Sequence, residues 1–314
     1  MKDKLRKFFK CIFNEDYRFN VLSNFSIYNS MNDEKYLKKK YKAVMHKELN
    51  LDNPKTFNEK LQWLKINDHN PEYTMMVDKH EVKKYIENII GEEHIVPTIG
   101  IYNSFEEIDF AKLPYKFVMK CTHDSGGIVI CKDNSTYNKK NAKQKINKYL
   151  KRNFYYSGRE WPYKNVKPRI IIEKYMEDKN QPNILDYKFF CFNGKVEYLY
   201  VSAGSHSKEQ CLQFFDRDYN SVDCRRNDYR SFDELPPCPK SFNKMIEYAE
   251  LLSKGIEHVR VDFYEINGKL YFSEFTFYTG SGFIPFEKDE WDIKLGRLIN
   301  IQNVMLKNKM RGDK

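Results

Sequence analysis

Twice in the second half of the chain, an alternating run of apolar and polar residues meets Asn-Gly and returns as another such run. Residues 186–192 (DYKFFCF) and 195–202 (KVEYLYVS) flank Asn193-Gly194, and residues 259–265 (VRVDFYE) and 270–277 (LYFSEFTF) flank Asn267-Gly268. The two-residue turn that suits right-twisted strands needs positive φ at both centres, which Asn and Gly accept easily. Each pair therefore reads as an antiparallel hairpin, since parallel neighbours would need a crossover of a dozen residues or more. Hairpins mixed with single helices predict an α+β fold rather than a doubly wound parallel sheet.

The first 74 residues read differently, as helices. Residues 34–48 are basic and amphipathic, and Thr56-Phe57-Asn58-Glu59 is a capping box opening a helix through Leu61, Trp63 and Leu64, closed at Asn70-Pro71. A further helix is expected from about Lys79 to Ile90, stopped by Gly91, and Ser104-Phe105-Glu106-Glu107 is a second capping box. Past Pro114 come a strand at 116–121, the run His123-Asp124-Ser125-Gly126-Gly127, and a strand at 128–131. A strand over 168–176 leads into a polar break at 177–183, and a helix at 241–254 precedes the second hairpin. A glycine-bearing loop, Thr279–Gly282, and an amphipathic helix from about Glu290 follow. This order suggests a helical N-terminal extension (1–74), a small lobe with the glycine hairpin (75–170) and a large lobe (171–314).

Charge narrows the partners. Lys plus Arg total 54 against 44 Asp plus Glu, a net +10 that favours anionic ligands. Residues 137–152 hold Lys139, Lys140, Lys143, Lys145, Lys148, Lys151 and Arg152 with no acid, which reads as a solvated helix face. A glycan- or phosphate-facing surface is the alternative. The basic residues are not interleaved with stacking aromatics, so no nucleic-acid partner is expected. Seven cysteines without CxxC or zinc spacing point to reduced thiols and a cytoplasmic location. There is no signal peptide and no apolar run long enough to span a bilayer. The opening MKDKLRKFFKCIF is short, basic and apolar on one face. It suits weak contact with the inner face of an anionic membrane, or else docking of Phe8, Phe9 and Phe13 into the protein's own core.

Three constellations could carry chemistry. Lys120 precedes Gly126-Gly127 between two strands, where bare backbone N–H groups can approach phosphate oxygens; no GK[ST] follows, so this is not a P-loop. Alone it is an ordinary turn. Asp262 and Glu274 sit on consecutive strands, and the turn decides whether they meet. A two-residue loop pairs 266 with 269 and points Glu274 away from Asp262, whereas a three-residue loop puts Arg260 opposite Glu274 with Asp262 diagonal on the same face. Two carboxylates completed by phosphate and water suit Mg²⁺; an ion-pair cluster is the plain reading. Third, Glu173-Lys174-Tyr175-Met176, followed by Glu177, ends a strand where backbone groups could meet an adenine edge.

Taken in order, Asp78-Lys79, Phe117–Lys120, Gly126-Gly127, Glu173–Glu177, Asp186-Tyr187-Lys188, Arg260-Val261-Asp262 and Glu274-Phe275-Thr276 resemble the ATP-grasp superfamily, and within it the TupA-like branch. The phrases FNEKLQWLK, VDKHEVKKYI, KCTHDSGGIVIC, GREWPYKNVKPRIIIEKYM, DYKFFCFNG, VRVDFY and SEFTFYTGSGF carry the resemblance over roughly residues 55–300.

The resemblance implies two α+β lobes clamping ATP. It places Lys79, Lys120, Ser125, Gly126, Gly127, Glu173, Lys174, Tyr175, Met176 and Glu177 around the nucleotide, with Lys188 as the alternative to Lys174 near phosphates and adenine. Asp262 and Glu274 would hold one or two Mg²⁺, and Arg260 and Lys188 would act on the transferring phosphate. Thr276 departs from the Asn common two residues after that Glu, which affects a second metal. The implied reaction is ligation of a carboxylate to an amine through an acyl phosphate, with a uronic-acid carboxylate of a capsule or cell-surface polysaccharide and an amino acid or amine as substrates. The rival reading is a metal-dependent glycosyltransferase using Asp216-Arg217-Asp218; a non-catalytic polyanion binder on the same frame is a further one.

Overall fold

The structure is a computed structural model describing residues 9–179, 181, 183–204 and 210–312; Lys2, Lys4, Leu5, Arg6, Lys7 and Phe8 of the membrane-contact reading lie outside the described residues. Helices α1 (Glu15–Leu22), α2 (Asp33–Met45), α3 (Phe57–Asn67), α4 (Glu72–Val77) and α5 (Glu81–Ile90) come first. Strands β1 (Thr98–Tyr102), β2 (Phe117–Cys121) and β3 (Ile128–Cys131), helices α6 (Lys139–Leu150) and α7 (Tyr155–Gly158), and strand β4 (Ile170–Lys174) follow. Then come β5 (Asp186–Phe192), β6 (Lys195–Ala203), β7 (Cys211–Asp216), α8 (Phe242–Leu252), β8 (His258–Ile266), β9 (Lys269–Thr276), α9 (Asp289–Arg297) and α10 (Ile301–Gly312).

Two compact units divide these elements. One comprises the described residues of Met1–His69, Tyr155–Trp161 and Tyr278–Lys314; the other comprises Asn70–Phe154 and Pro162–Phe277. These units divide the chain differently from the three segments read from the sequence, because 155–161 and the described residues of 278–312 group with the N-terminal helices.

The second unit holds both sheets, and every neighbouring pair of named strands is antiparallel, including the two pairs expected from the Asn-Gly turns. The smaller sheet runs β1-β4-β2-β3 and the larger β7-β6-β5-β8-β9. Both Asn-Gly turns form with positive φ: Asn193 47° and Gly194 76°, Asn267 51° and Gly268 73°. Ala142 and Ile146 of α6 cover Phe117, Met119, Ile170 and Ile172 of the smaller sheet. On the larger sheet Val259, Val261 and Phe263 of β8 are fully buried, as alternation requires. The edge strands β1 and β7 were not legible in the sequence; β1 is only partly buried, so its pattern is weak.

In the first unit the capping box of α3 closes both ways, Thr56 Oγ1 accepting from Glu59 N (3.2 Å) and Glu59 Oε2 from Thr56 N (3.0 Å). The second capping box does not form. Residues Phe105–Glu107 make a single 3₁₀ turn without a Ser104 side-chain cap, and Glu107 bonds Asn103 N instead. Asn70-Pro71, expected only as a stop, also opens α4. Docking of the N-terminal phenylalanines is not seen for the described ones: Phe9 is 49% and Phe13 82% exposed.

One face of α3 is polar yet buried. Asn58, Gln62 and Lys65, spaced four and three apart, share one stripe and are 0%, 0% and 3% exposed. Asn58 exchanges hydrogen bonds with the Ile284 backbone (3.0 and 2.7 Å), and Gln62 donates to Ser281 O and Gly282 O. Lys65 Nζ donates to Gly158 O, Ser281 O and Gln62 Oε1 at 2.7–2.9 Å. The loop so held contains Gly280, Ser281 and Gly282, all at positive φ.

Candidate active site

Three adjacent strands place charged side chains in one row across the larger sheet. Lys188 on β5 pairs with Asp262 on β8, Asp262 pairs with Glu274 on β9, and on the other side Lys188 pairs with Tyr200 on β6. Directly paired residues share a face. The route to this register differs from the one expected. The β8–β9 turn has two residues, pairing Ile266 with Lys269, which by itself would set Glu274 opposite Val261. A β-bulge between the Phe263–Phe272 and Asp262–Glu274 pairs absorbs Ser273 and restores Glu274 to the face of Asp262. No three-residue loop is needed, and Arg260 pairs with Thr276 rather than Glu274.

Within the row Asp262 is fully buried and held by two cations. Arg260 grips it through Nε (2.7 Å) and Nη2 (2.6 Å), and Lys188 Nζ lies 2.8 Å away. Burial opposes the Asp262 charge, but Arg260 and Lys188 outweigh it and hold its carboxyl below the usual range. Burial likewise opposes the charge on Lys188, yet Asp186 and Asp262 carry its pKa well above the ordinary value. Arg260 also donates to Tyr200 Oη and Thr276 Oγ1, both at 2.9 Å. Glu274 lies at 3.6 Å from Arg260, with its side chain 44% exposed.

The smaller sheet supplies a second charged group. Glu173 on β4 binds Lys120 of β2 (2.7 Å) and Lys83 of α5 (2.5 Å), and this pairing keeps it ionised although it is buried. Burial opposes the Lys120 charge, but Glu173, Glu274 and Asp186 together raise its pKa. Burial lowers Lys79, with Glu274 the main opposing charge; its ammonium donates to Asp124 O at 2.8 Å. Glu274 of the larger sheet is thus among the charges that favour the ammonium forms of Lys79 and Lys120, within the same unit.

The glycine hairpin lies at the end of β2. Gly126 has φ 102°, and a Cβ on Gly127 would come within 2.9 Å of Cys121 Sγ and of Tyr149 Cβ, so both glycines are required by the turn and its packing. Ser125 is exposed beside them. Of the two lysines offered by the resemblance, Lys188 joins the row; Lys174 is exposed and follows Glu173 on the opposite face. Glu177 pairs with Lys116 (2.8 Å), which also lies over the Tyr175 ring; Met176 is half-buried. Asn267 ties this linker to the β8–β9 turn by donating to Glu177 O (2.8 Å) and accepting from Lys179 N (3.0 Å). Sequence reasoning missed Lys83 and Tyr200. Lys83 stands beside Val82 and Ile86 in a helix whose buried face was legible, but its Glu173 partner is ninety residues on. Nothing local marks Tyr200.

The donor set fits Mg²⁺ delivered with phosphate. Among the described residues no group of three or more His, Cys, Asp and Glu could hold a metal alone, so two carboxylates leave the remaining positions to phosphate and water. Both Asp262 oxygens are engaged by cations, and anionic phosphate is the partner that would draw Arg260 and Lys188 away. By contrast, the Asp216-Arg217-Asp218 motif has a structural task. Asp216 caps its own turn, accepting from Asp218 N (3.0 Å), Asn220 N (2.8 Å) and Asn220 Nδ2 (3.1 Å), and Arg217 pairs with Glu250.

A family model described as TupA-like ATPgrasp matches residues 59–300. No curated protein matches the chain significantly. Among solved structures, D-alanine–D-alanine ligase from Bacillus anthracis complexed with ATP is 18% identical at TM-score 0.41, over 76% of this chain and 68% of that one. The same ligase from Helicobacter pylori is 12% identical at TM-score 0.40, covering 78% and 69%. A RimK domain ATP-grasp protein from Sphaerobacter thermophilus is 11% identical at TM-score 0.38, covering 72% and 69%. Overlaps this loose add no weight to the assignment. The family match, by contrast, spans well over half of the sequence: the chain belongs to the TupA-like ATP-grasp family and is an ATP-dependent ligase of the ATP-grasp fold.

Proposed function

We propose that the enzyme joins the carboxylate of a uronic acid, part of a capsule or cell-surface polysaccharide, to an amino acid or amine through an acyl phosphate. The observation that carries this is the row Lys188–Asp262–Glu274 with Arg260 on one face of the larger sheet. A carboxylate resists amines because oxide leaves poorly, and phosphorylation supplies a better leaving group. Phosphoryl transfer demands mostly positioning and charge neutralisation. On this reading Lys79, Lys120 and the Gly126-Gly127 hairpin hold the triphosphate, and residues 173–177 meet adenine and ribose. Arg260 and Lys188 neutralise charge on the transferring group. Mg²⁺, held by Asp262 and Glu274, would supply Lewis-acid stabilisation of phosphate oxygens. Thr276 spends its hydroxyl oxygen on Arg260, which favours one metal over two.

Among the described residues no helix is long and apolar enough to cross a membrane. We place the enzyme in the cytoplasm, with exposed Phe9, Ile12 and Phe13 suited to weak contact with the inner leaflet. The test of function combines ATP, Mg²⁺, a panel of uronic acids and a panel of amino acids, following ADP release and product mass. Mg·ATP should raise the melting temperature, as any ligand selective for the folded state does. A response to UDP-sugars but not to ATP would defeat the proposal.

A further inference from the structure

Helix α6 and strand β3 form a surface that the ligation site leaves unused. A groove of about 450 Å³ runs between them, lined among others by Ile128, Val129, Ile130, Asn138, Asn141 and Lys145. Gly126, of the hairpin placed over the nucleotide, lines it too. Ile130 is 52% exposed on its floor. Beside it Asn138, Asn141, Lys145 and Lys148 are spaced three, four and three apart, and so share one helical stripe. Asn138 spends its oxygen on Asn141 N (3.0 Å) and keeps its N–H donors for another partner.

The charge on this surface is not neutralised from within. Lys143 pairs with Glu106, but Lys140, Lys145, Lys148 and Lys151 are exposed and make no ion pair among the described residues. Like charges three and four apart on a helix repel, and no acid at those spacings offsets them. An anionic partner would. The lining selects among anions: it is mainly aliphatic, with the half-buried Tyr137 its one ring, so no series of exposed rings offers successive bases a stack, while amides flank it. Aliphatic C–H contact plus amide and ammonium donors match a pyranose chain bearing carboxylates better than they match a nucleic acid.

We propose that this groove and lysine stripe dock an acidic oligosaccharide, the continuation of the glycan whose carboxylate is activated. The inference rests on the ligase reading above and names where the rest of that substrate lies. The test titrates size-defined oligogalacturonates into the full chain at low and high salt, by calorimetry. The expected result is salt-sensitive binding that weakens at least tenfold in Lys145→Glu/Lys148→Glu and several-fold in Ile130→Ser, with the melting shift given by Mg·ATP unchanged in both. Unaltered oligogalacturonate affinity in both variants would overturn it. So would equally tight binding of an oligothymidylate lost through the same lysines, since the surface would then be a general polyanion or nucleic-acid face. A normal Mg·ATP shift without glycan binding removes only this proposal, whereas a missing Mg·ATP shift removes the ligase reading and leaves the binding result standing.

Discussion

Lys188 on β5 and Lys65 on α3 are both buried ammonium groups, held in opposite ways. Lys188 sits among carboxylates, Asp262 at 2.8 Å and Asp186 at 3.5 Å, and its pKa is carried well above the ordinary value. Lys65 is surrounded mainly by neutral oxygens, Gly158 O, Ser281 O and Gln62 Oε1, and burial draws it down to about 7, with Glu160 opposing. The difference teaches what each is for. Carboxylates that over-neutralise a cation can be traded for phosphate and metal, which is the role proposed above for the Lys188 group. Carbonyl dipoles cannot leave, so Lys65 fastens the loop at 278–284.

The largest effect should come from Asp262→Asn. It leaves Arg260 and Lys188 without their shared counter-charge, and breaking a buried pair from one side costs about 3–5 kcal/mol. Urea unfolding should show that loss, and turnover should vanish with it. Stability within about 1 kcal/mol of the parent would mean that water already screens the row. Next, Glu274→Gln keeps shape but removes a half-exposed charge. Turnover should fall about 30-fold, roughly 2 kcal/mol at the transition state. ATP affinity should change much less, because metal charge matters most during transfer. Equal losses in both would place Glu274 in ground-state binding alone.

Lys65→Met tests the other arm of the comparison. It strands buried carbonyls, at about 1–3 kcal/mol, without touching ATP affinity. The pH dependence is sharper. Lys65 has a folded pKa of about 7 against an unfolded value near ~10.4, so between these the unfolded chain binds the proton that the folded chain has lost. Stability should therefore rise as pH climbs through this window, and the rise should flatten in Lys65→Met. An identical slope in the variant would mean that the carbonyls keep the proton on Lys65. The smallest effect belongs to Tyr200→Phe, which removes the acceptor for Arg260 Nη1. kcat/KM for ATP should fall about five-fold, about 1 kcal/mol, with folding nearly intact.

Much of the larger sheet was legible because its evidence is local: alternation over seven to nine residues, and Asn-Gly at both tight turns. The first capping box was legible for the same reason, being closed by residues three apart. The second was not formed, because a matching spacing at 104–107 does not oblige the chain to continue as a helix. At the candidate site, Lys120, Lys188, Arg260, Asp262 and Glu274 could be named from their order along the chain. Lys83 and Tyr200 could not, since their partners lie ninety and sixty residues away in sequence.

The sequence by itself determined antiparallel hairpins, the α+β class, the family and the residue types of the candidate site, all of which follow from nearest neighbours and ordered motifs. Only the tertiary structure decided that Asp262 and Glu274 share a face. The turn alone would have turned them apart, and one bulged residue, Ser273, reverses that. A bulge is chosen by what both faces of a strand must pack against, Phe272 and Phe275 inward and Glu274 outward, and that choice exists only once the neighbouring strands are in place.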